Sequence, residues 1–175
     1  YQLVPFSEHV ISLETYPTPY YLPYFIESHR RNGMLSGPLS LFFREPYASR
    51  IPDLFNGNLS GDEINQQLTD TVSLLITDNL KNDFSDAEEF AALRNELNTN
   101  SVDGWNTENP LRFYHGKADD NVYYMQSVLM HNAMLQMGSS AENVSLYLLE
   151  GLNHQTALVP WGVTTIKWFL SFSDR

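Results

Sequence analysis

In the last third of the chain, apolar residues gather in two compact runs. Residues 111–115 read Leu-Arg-Phe-Tyr-His and end at Gly116, and residues 144–149 read Val-Ser-Leu-Tyr-Leu-Leu and end at Glu150-Gly151. Short apolar runs rich in aromatic or β-branched residues and closed by glycine predict buried strands. The stretch between them, from Asn121 or Val122 to Met137, has the length of a helix, with Gly138 placed to end it. A last helix is predicted over 161–172, where Val163, Ile166, Trp168 and Leu170 recur at helical spacings. Two strands joined by one such helix form a βαβ unit, which crosses over right-handedly and sets its strands parallel.

The first 109 residues carry a different pattern. Tyr and Pro crowd 15–23, and a helix is expected from about Pro23 to Arg31, stopped by Asn32-Gly33. A further helical turn is expected over 39–44, before Pro46. Ser60-Gly61-Asp62-Glu63 has the form of a capping box, flanked by Leu59 and Ile64 as a hydrophobic staple. Ile64, Leu68, Val72 and Leu75 continue it at helical spacing, which predicts one helix through this stretch. Ser85-Asp86-Ala87-Glu88 predicts a second box, opening a helix that carries Phe90, Leu93, Arg94 and Leu97. No strand is predicted here. The expected division is therefore a mainly helical region, 1–109, and an α/β region, 110–175.

Composition narrows the partners. Hydrophobic residues make up 42% and aromatics 13% of the chain, as in an ordered, packed protein. A net charge of −11 argues against nucleic acid and against an anionic membrane surface as partners. The acid is concentrated in 61–109, where only Lys81 and Arg94 oppose it, as on a solvated helical face. Without cysteine there is no disulfide, thiolate nucleophile or Cys-based zinc site. No apolar run approaches the ~18 residues of a membrane span, so no transmembrane segment is expected. No His/Asp/Glu grouping suggests a metal site, and no cofactor is expected. The opening on Tyr1 rather than Met reads as a piece excised from something longer.

In open parallel sheets, function collects at the carboxyl ends of the strands. Those ends are 115–119 (His-Gly-Lys-Ala-Asp) and 151–154 (Gly-Leu-Asn-His), and each supplies a titratable residue. Strands ~4.8 Å apart allow such loops to bring Asp119 to His154. A carboxylate on the imidazole Nδ1–H fixes its tautomer and leaves Nε2 to take a proton from a serine.

The segment His115-Gly116-Lys117-Ala118-Asp119-Asp120-Asn121-Val122 resembles the His-Gly-x-x-Asp-x-x-Val stretch around the triad acid of α/β-hydrolases. Gly151-Leu152-Asn153-His154 resembles the Gly-x-x-His segment that bears their histidine. Residues 20–24, 43–47 and 51–55 are similar in texture to the helical cap of secreted bacterial esterases and lipases of that superfamily. The resemblance implies the carboxyl-terminal part of an α/β-hydrolase sheet, preceded by a helical cap. It implies Asp119 and His154 as acid and base of a serine ester hydrolase, a small-molecule or lipid ester as substrate, and a secreted, periplasmic or cell-envelope location. The pattern departs from the family in two ways. Tyr123 stands where a proline usually follows the valine, and Gly-x-Ser-x-Gly occurs nowhere in the 175 residues. The nucleophile is therefore expected in a missing amino-terminal half, and the chain alone is expected to be inert. A serine peptidase of the prolyl-oligopeptidase kind and a non-catalytic binding module on the same scaffold stay open as alternatives.

Among the remaining candidates, Asp120 is the rival acid and the better placed to cap the next helix. His115 is expected to bond into its loop. His9, His29 and His131 have no partner spacing that suggests chemistry. The aromatics from Tyr16 to Phe43 suit either an acyl pocket under a lid or ordinary packing.

Overall fold

A computed structural model describes residues 1–173. It separates into two compact units. One is Leu3–Ser101, and the other joins residues 1–2 to the chain from Val102 onward.

The first unit is built from short helices: α1 (Leu3–Ser12), α2 (Tyr21–Arg31), α3 (Tyr47–Leu54), α4 (Gly61–Asn65), α5 (Val72–Leu75), α6 (Asp78–Asp83) and α7 (Ala91–Thr99). The longer ones bury a stripe at i, i+3 and i+4: Ser7, Val10 and Ile11 on α1, and Pro23, Ile26 and Glu27 on α2. Their apolar faces meet around Ile26, Phe43, Ile51, Leu80, Phe90 and Leu93. Glu27 enters this interior as a charge already paired, held by Arg30 at 2.9 Å and Arg31 at 2.8 Å. The Ser60 capping box forms as expected, with Ser60 N donating to Glu63 Oε2 and Glu63 N donating to Ser60 Oγ.

Two sequence expectations for this unit fail for identifiable reasons. No single helix runs through 61–75, because the backbone of 70–72 pairs elsewhere. Tyr16 N donates to Asp70 O and Val72 N to Glu14 O, and Thr15 bridges Thr71. The second capping box is also absent. Ser85 Oγ donates to Glu8 Oε1 at 2.8 Å, and a 3₁₀ turn, Glu88–Phe90, leads into α7 without a side-chain cap. Arg94 instead reaches back to the Ala87 and Phe84 carbonyls.

The second unit has the βαβα order read from the sequence: β1 (Leu111–Gly116), α8 (Met125–Gln136), β2 (Val144–Leu149) and α9 (Leu158–Ser173). The strands are parallel and in step, from Leu111 opposite Val144 to Gly116 opposite Leu149. Leu111 and Phe113 face α8 and pack with Met130, Met134 and Val144. On the alternate face, the Arg112 guanidinium lies between the Tyr147 and Trp168 rings, and Tyr114 stacks on Tyr147 at 5.1 Å. The strands are half-buried rather than fully buried, with Gly116 the covered residue of β1 and Val144 of β2. No described residue of α9 is buried, and Val159, Ile166, Phe169 and Leu170 are exposed.

Candidate active site

The two loops at the carboxyl ends of β1 and β2 lie directly against each other. Lys117 N donates to Leu149 O at 2.9 Å, and Ala118 N donates to Leu152 O at 3.0 Å. Contact this close requires glycine at 116, since a Cβ there would sit 2.2 Å from the Leu152 carbonyl oxygen. At the turn after β2, Gly151 adopts a φ of +68°, a left-handed conformation that other residues rarely take. Lys117 Nζ donates to Glu150 Oε1 at 2.8 Å across the two loops, and this bond holds the Lys117 ammonium above its ordinary pKa.

This stacking brings Asp119 and His154 together. His154 Nδ1 lies 2.9 Å from Asp119 Oδ2. The carboxylate is nearly covered, at 5% exposure, whereas the imidazole is 46% exposed. Asp119 Oδ1 accepts the Asn121 and Val122 amides at 3.0 and 2.8 Å. The chain turns through these residues, and α8 begins at Met125 rather than at residue 121 or 122. Asp120 is exposed and makes no hydrogen bond to His154, so the rival carboxylate stands apart from the ring.

His154 opens a capped helical turn. Asn153 Oδ1 accepts the Gln155 and Thr156 amides at 3.1 and 2.9 Å, and Thr156 Oγ1 accepts the Asn153 amide at 2.8 Å. This reciprocal pair secures the backbone that carries the ring. With Nδ1 facing the carboxylate, Nε2 has no hydrogen-bond partner among the described residues. Both groups border a cleft of about 270 Å³ whose apolar wall includes Tyr114, Leu149, Leu158 and Trp161.

No protein-family model matches the chain, and no curated protein matches it in sequence. Solved structures do match. A Legionella pneumophila protein taken to be a hydrolase superposes with a TM-score of 0.78 at 22% identity, over 95% of this chain and 44% of that one. The rice cell wall degrading esterase LipA of Xanthomonas oryzae superposes with a TM-score of 0.68 at 20% identity, over 89% of this chain and 42% of that one. The fold is that of an α/β-hydrolase. The chain spans less than half the length of the structures it matches.

Within this α/β-hydrolase fold, His115 joins the same cluster. Its Nε2 lies 2.9 Å from Val122 O and 3.2 Å from Asp119 Oδ2, and its Nδ1 lies 2.7 Å from Ser127 Oγ. It bonds into its loop as the sequence suggested, but its contact with Asp119 was not foreseen. The available signal was the spacing of four between His115 and Asp119 across a glycine-bearing turn. The Asn153–Thr156 cap was likewise missed, although Asn-x-x-Thr ahead of an apolar helix was there to be read. Among the described residues, no group of three or more His, Asp or Glu side chains is arranged to hold a metal ion. No helix of the described residues is long and apolar enough to cross a membrane.

Proposed function

We propose that this chain supplies the acid and the base of a serine ester hydrolase, with the nucleophile contributed by sequence outside these 175 residues. One observation carries the reading. His154 turns Nδ1 to a covered carboxylate at 2.9 Å and, among the described residues, leaves Nε2 without a hydrogen-bond partner at a cleft. A carboxylate in that position selects the Nδ1–H tautomer, so Nε2 bears the lone pair that accepts a proton.

The chemistry follows from that tautomer. A serine hydroxyl attacks the ester carbonyl while His154 Nε2 takes its proton, and Asp119 stabilises the imidazolium that forms. The tetrahedral intermediate collapses as His154 returns the proton to the departing alcohol, leaving an acyl-serine. Water then repeats the cycle, giving its proton to Nε2 and its oxygen to the acid product, and the serine is restored. Sequence outside this chain would supply the nucleophile elbow, the oxyanion hole and further strands. The helical unit would serve as a cap that shapes access for a small-molecule or lipid ester. The apolar side chains exposed on α9 support a missing partner segment, since isolated globular surfaces rarely show so many together.

The test is hydrolysis of short p-nitrophenyl esters by the full-length protein and by its His154→Ala variant. The full-length protein is expected to turn over, and the variant to lose roughly a thousandfold or more in kcat. The 175-residue chain alone is expected to be inactive. Turnover retained by His154→Ala would remove His154 from the mechanism, and cleavage of peptides but not esters would turn the assignment to a peptidase.

A further inference from the structure

We propose that His115 is a positioning residue that fixes the Asp119 carboxylate for His154. This rests on the reading of Asp119 and His154 as a catalytic pair. His115 is a mostly covered imidazole, 11% exposed, to which the mechanism above gives no task. Two acceptors, Val122 O and Asp119 Oδ2, face its Nε2, and neither donates, so the ring proton sits on Nε2. The Ser127 hydroxyl then donates to Nδ1, across 2.7 Å. The result is one linked set: Ser127 Oγ–H bonds His115 Nδ1, His115 Nε2–H bonds Val122 O, and the Val122 amide bonds Asp119 Oδ1, while Asp119 Oδ2, which His154 Nδ1 faces, lies 3.2 Å from the same His115 nitrogen.

The two backbone amides on Oδ1 hold one oxygen of the carboxylate, which leaves its plane free to swing about that point. His115 ties down the Val122 carbonyl, beside the amide that holds Oδ1, and its ring edge lies 3.2 Å from the other oxygen, the one that His154 uses. Burial adds to the effect. At 5% exposure Asp119 has little water to replace a lost donor, so removing the Nε2–H frees the Val122 carbonyl, loosens the peptide whose amide holds Oδ1 and lets the carboxylate reorient. Ser127, on α8, extends the restraint into the helix that packs on β1 and β2, so the acid is braced from the core side of the sheet.

The ¹⁵N spectrum of the histidine rings reports this directly, because the two nitrogens of each ring show which one bears the proton. His154 is expected mainly as the Nδ1–H tautomer in the native chain. In His115→Leu, which fills space without donating, the ratio of the Nδ1–H to the Nε2–H form is expected to fall about fivefold, the equilibrium worth of one ordinary hydrogen bond. His115→Gln keeps a donor near Nε2 and is expected to preserve the native ratio. If the Leu variant does not fold, Ser127→Ala provides the second measurement, with a smaller fall expected. An unchanged ratio in the folded variants overturns the proposal, as does identical behaviour of Leu and Gln, which would mark His115 as mere filling. In the full-length enzyme the Leu variant is expected to lose kcat with KM preserved, and Gln to restore it. Esterase activity retained by His154→Ala would sink the catalytic reading and leave the ring spectra standing, so the two failures are separable.

Discussion

The carbonyl oxygen of Leu152 sits where a side chain on Gly116 would have to be, 2.2 Å from the position of its Cβ. The histidine-bearing loop therefore rests on the backbone of the acid-bearing loop, and the Ala118 amide ties the same carbonyl down at 3.0 Å. Gly116→Ala is expected to push the two loops apart. Overpacking of this kind costs about 2 kcal/mol, read as a lower denaturant midpoint. The His154 ring should also lose its Nδ1–H preference. A folded alanine variant with native stability and native ring spectra would show that the loops tolerate separation.

Asp119 and Asp120 are neighbours with opposite surroundings, one nearly covered beside His154 and the other exposed. In the full-length enzyme Asp119→Asn is expected to cut kcat by roughly three to four orders of magnitude, since an amide no longer selects the required tautomer. Asp120→Asn should leave the rate within about twofold, a change at an exposed side chain with no hydrogen bond to His154. The reverse ranking in ester turnover would transfer the acid's role to Asp120.

Arg112 is held between two rings, 5.3 Å from the Tyr147 centroid and 4.6 Å from that of Trp168. Its guanidinium links β1 and β2 to α9 across a partly exposed face. Arg112→Leu keeps a stem of similar bulk and loses the cation, which should cost about 1 kcal/mol. The denaturant midpoint measures the loss, and Trp168 emission should shift as the ring is uncovered. An unchanged midpoint would mean that the stem alone does the packing.

The Ser60 amide, and after it the Ser60 hydroxyl, hold the Glu63 carboxyl below the ordinary glutamate pKa, and its slight burial opposes them. A carboxyl depressed in the folded state adds stability above its unfolded pKa and loses it as pH falls through the folded value. Acid titration is therefore expected to release the start of α4 only below the usual glutamate range. Ser60→Ala should raise the Glu63 titration toward the ordinary value, observed through its side-chain carboxyl resonance. No movement of that resonance would show that the hydroxyl contributes nothing to the charged form and that the retained Ser60 amide carries the shift.

Local pattern was enough for much of this protein. The two apolar runs, the glycines that close them and the helix-length spacer made β1, α8 and β2 legible, and the order of Asp119 and His154 after those strands marked the candidate site. Such features depend on periodicity and on the conformational limits of glycine, which a linear chain displays openly. Only the tertiary structure decided matters in which a backbone or side chain had several possible partners. The Asp70 carbonyl and the Val72 amide bonded to the backbone of 14–16 and broke the helix expected there, and the Ser85 hydroxyl chose Glu8 over its own capping position. Likewise, Asp119 lies beside two histidines where the sequence offered one, because the fold of β1 and α8 turned His115 inward to bond Ser127 and Val122. Hydrogen bonds are short-ranged and saturable, so a residue's chemistry lists its possible partners, while the packed fold selects among them.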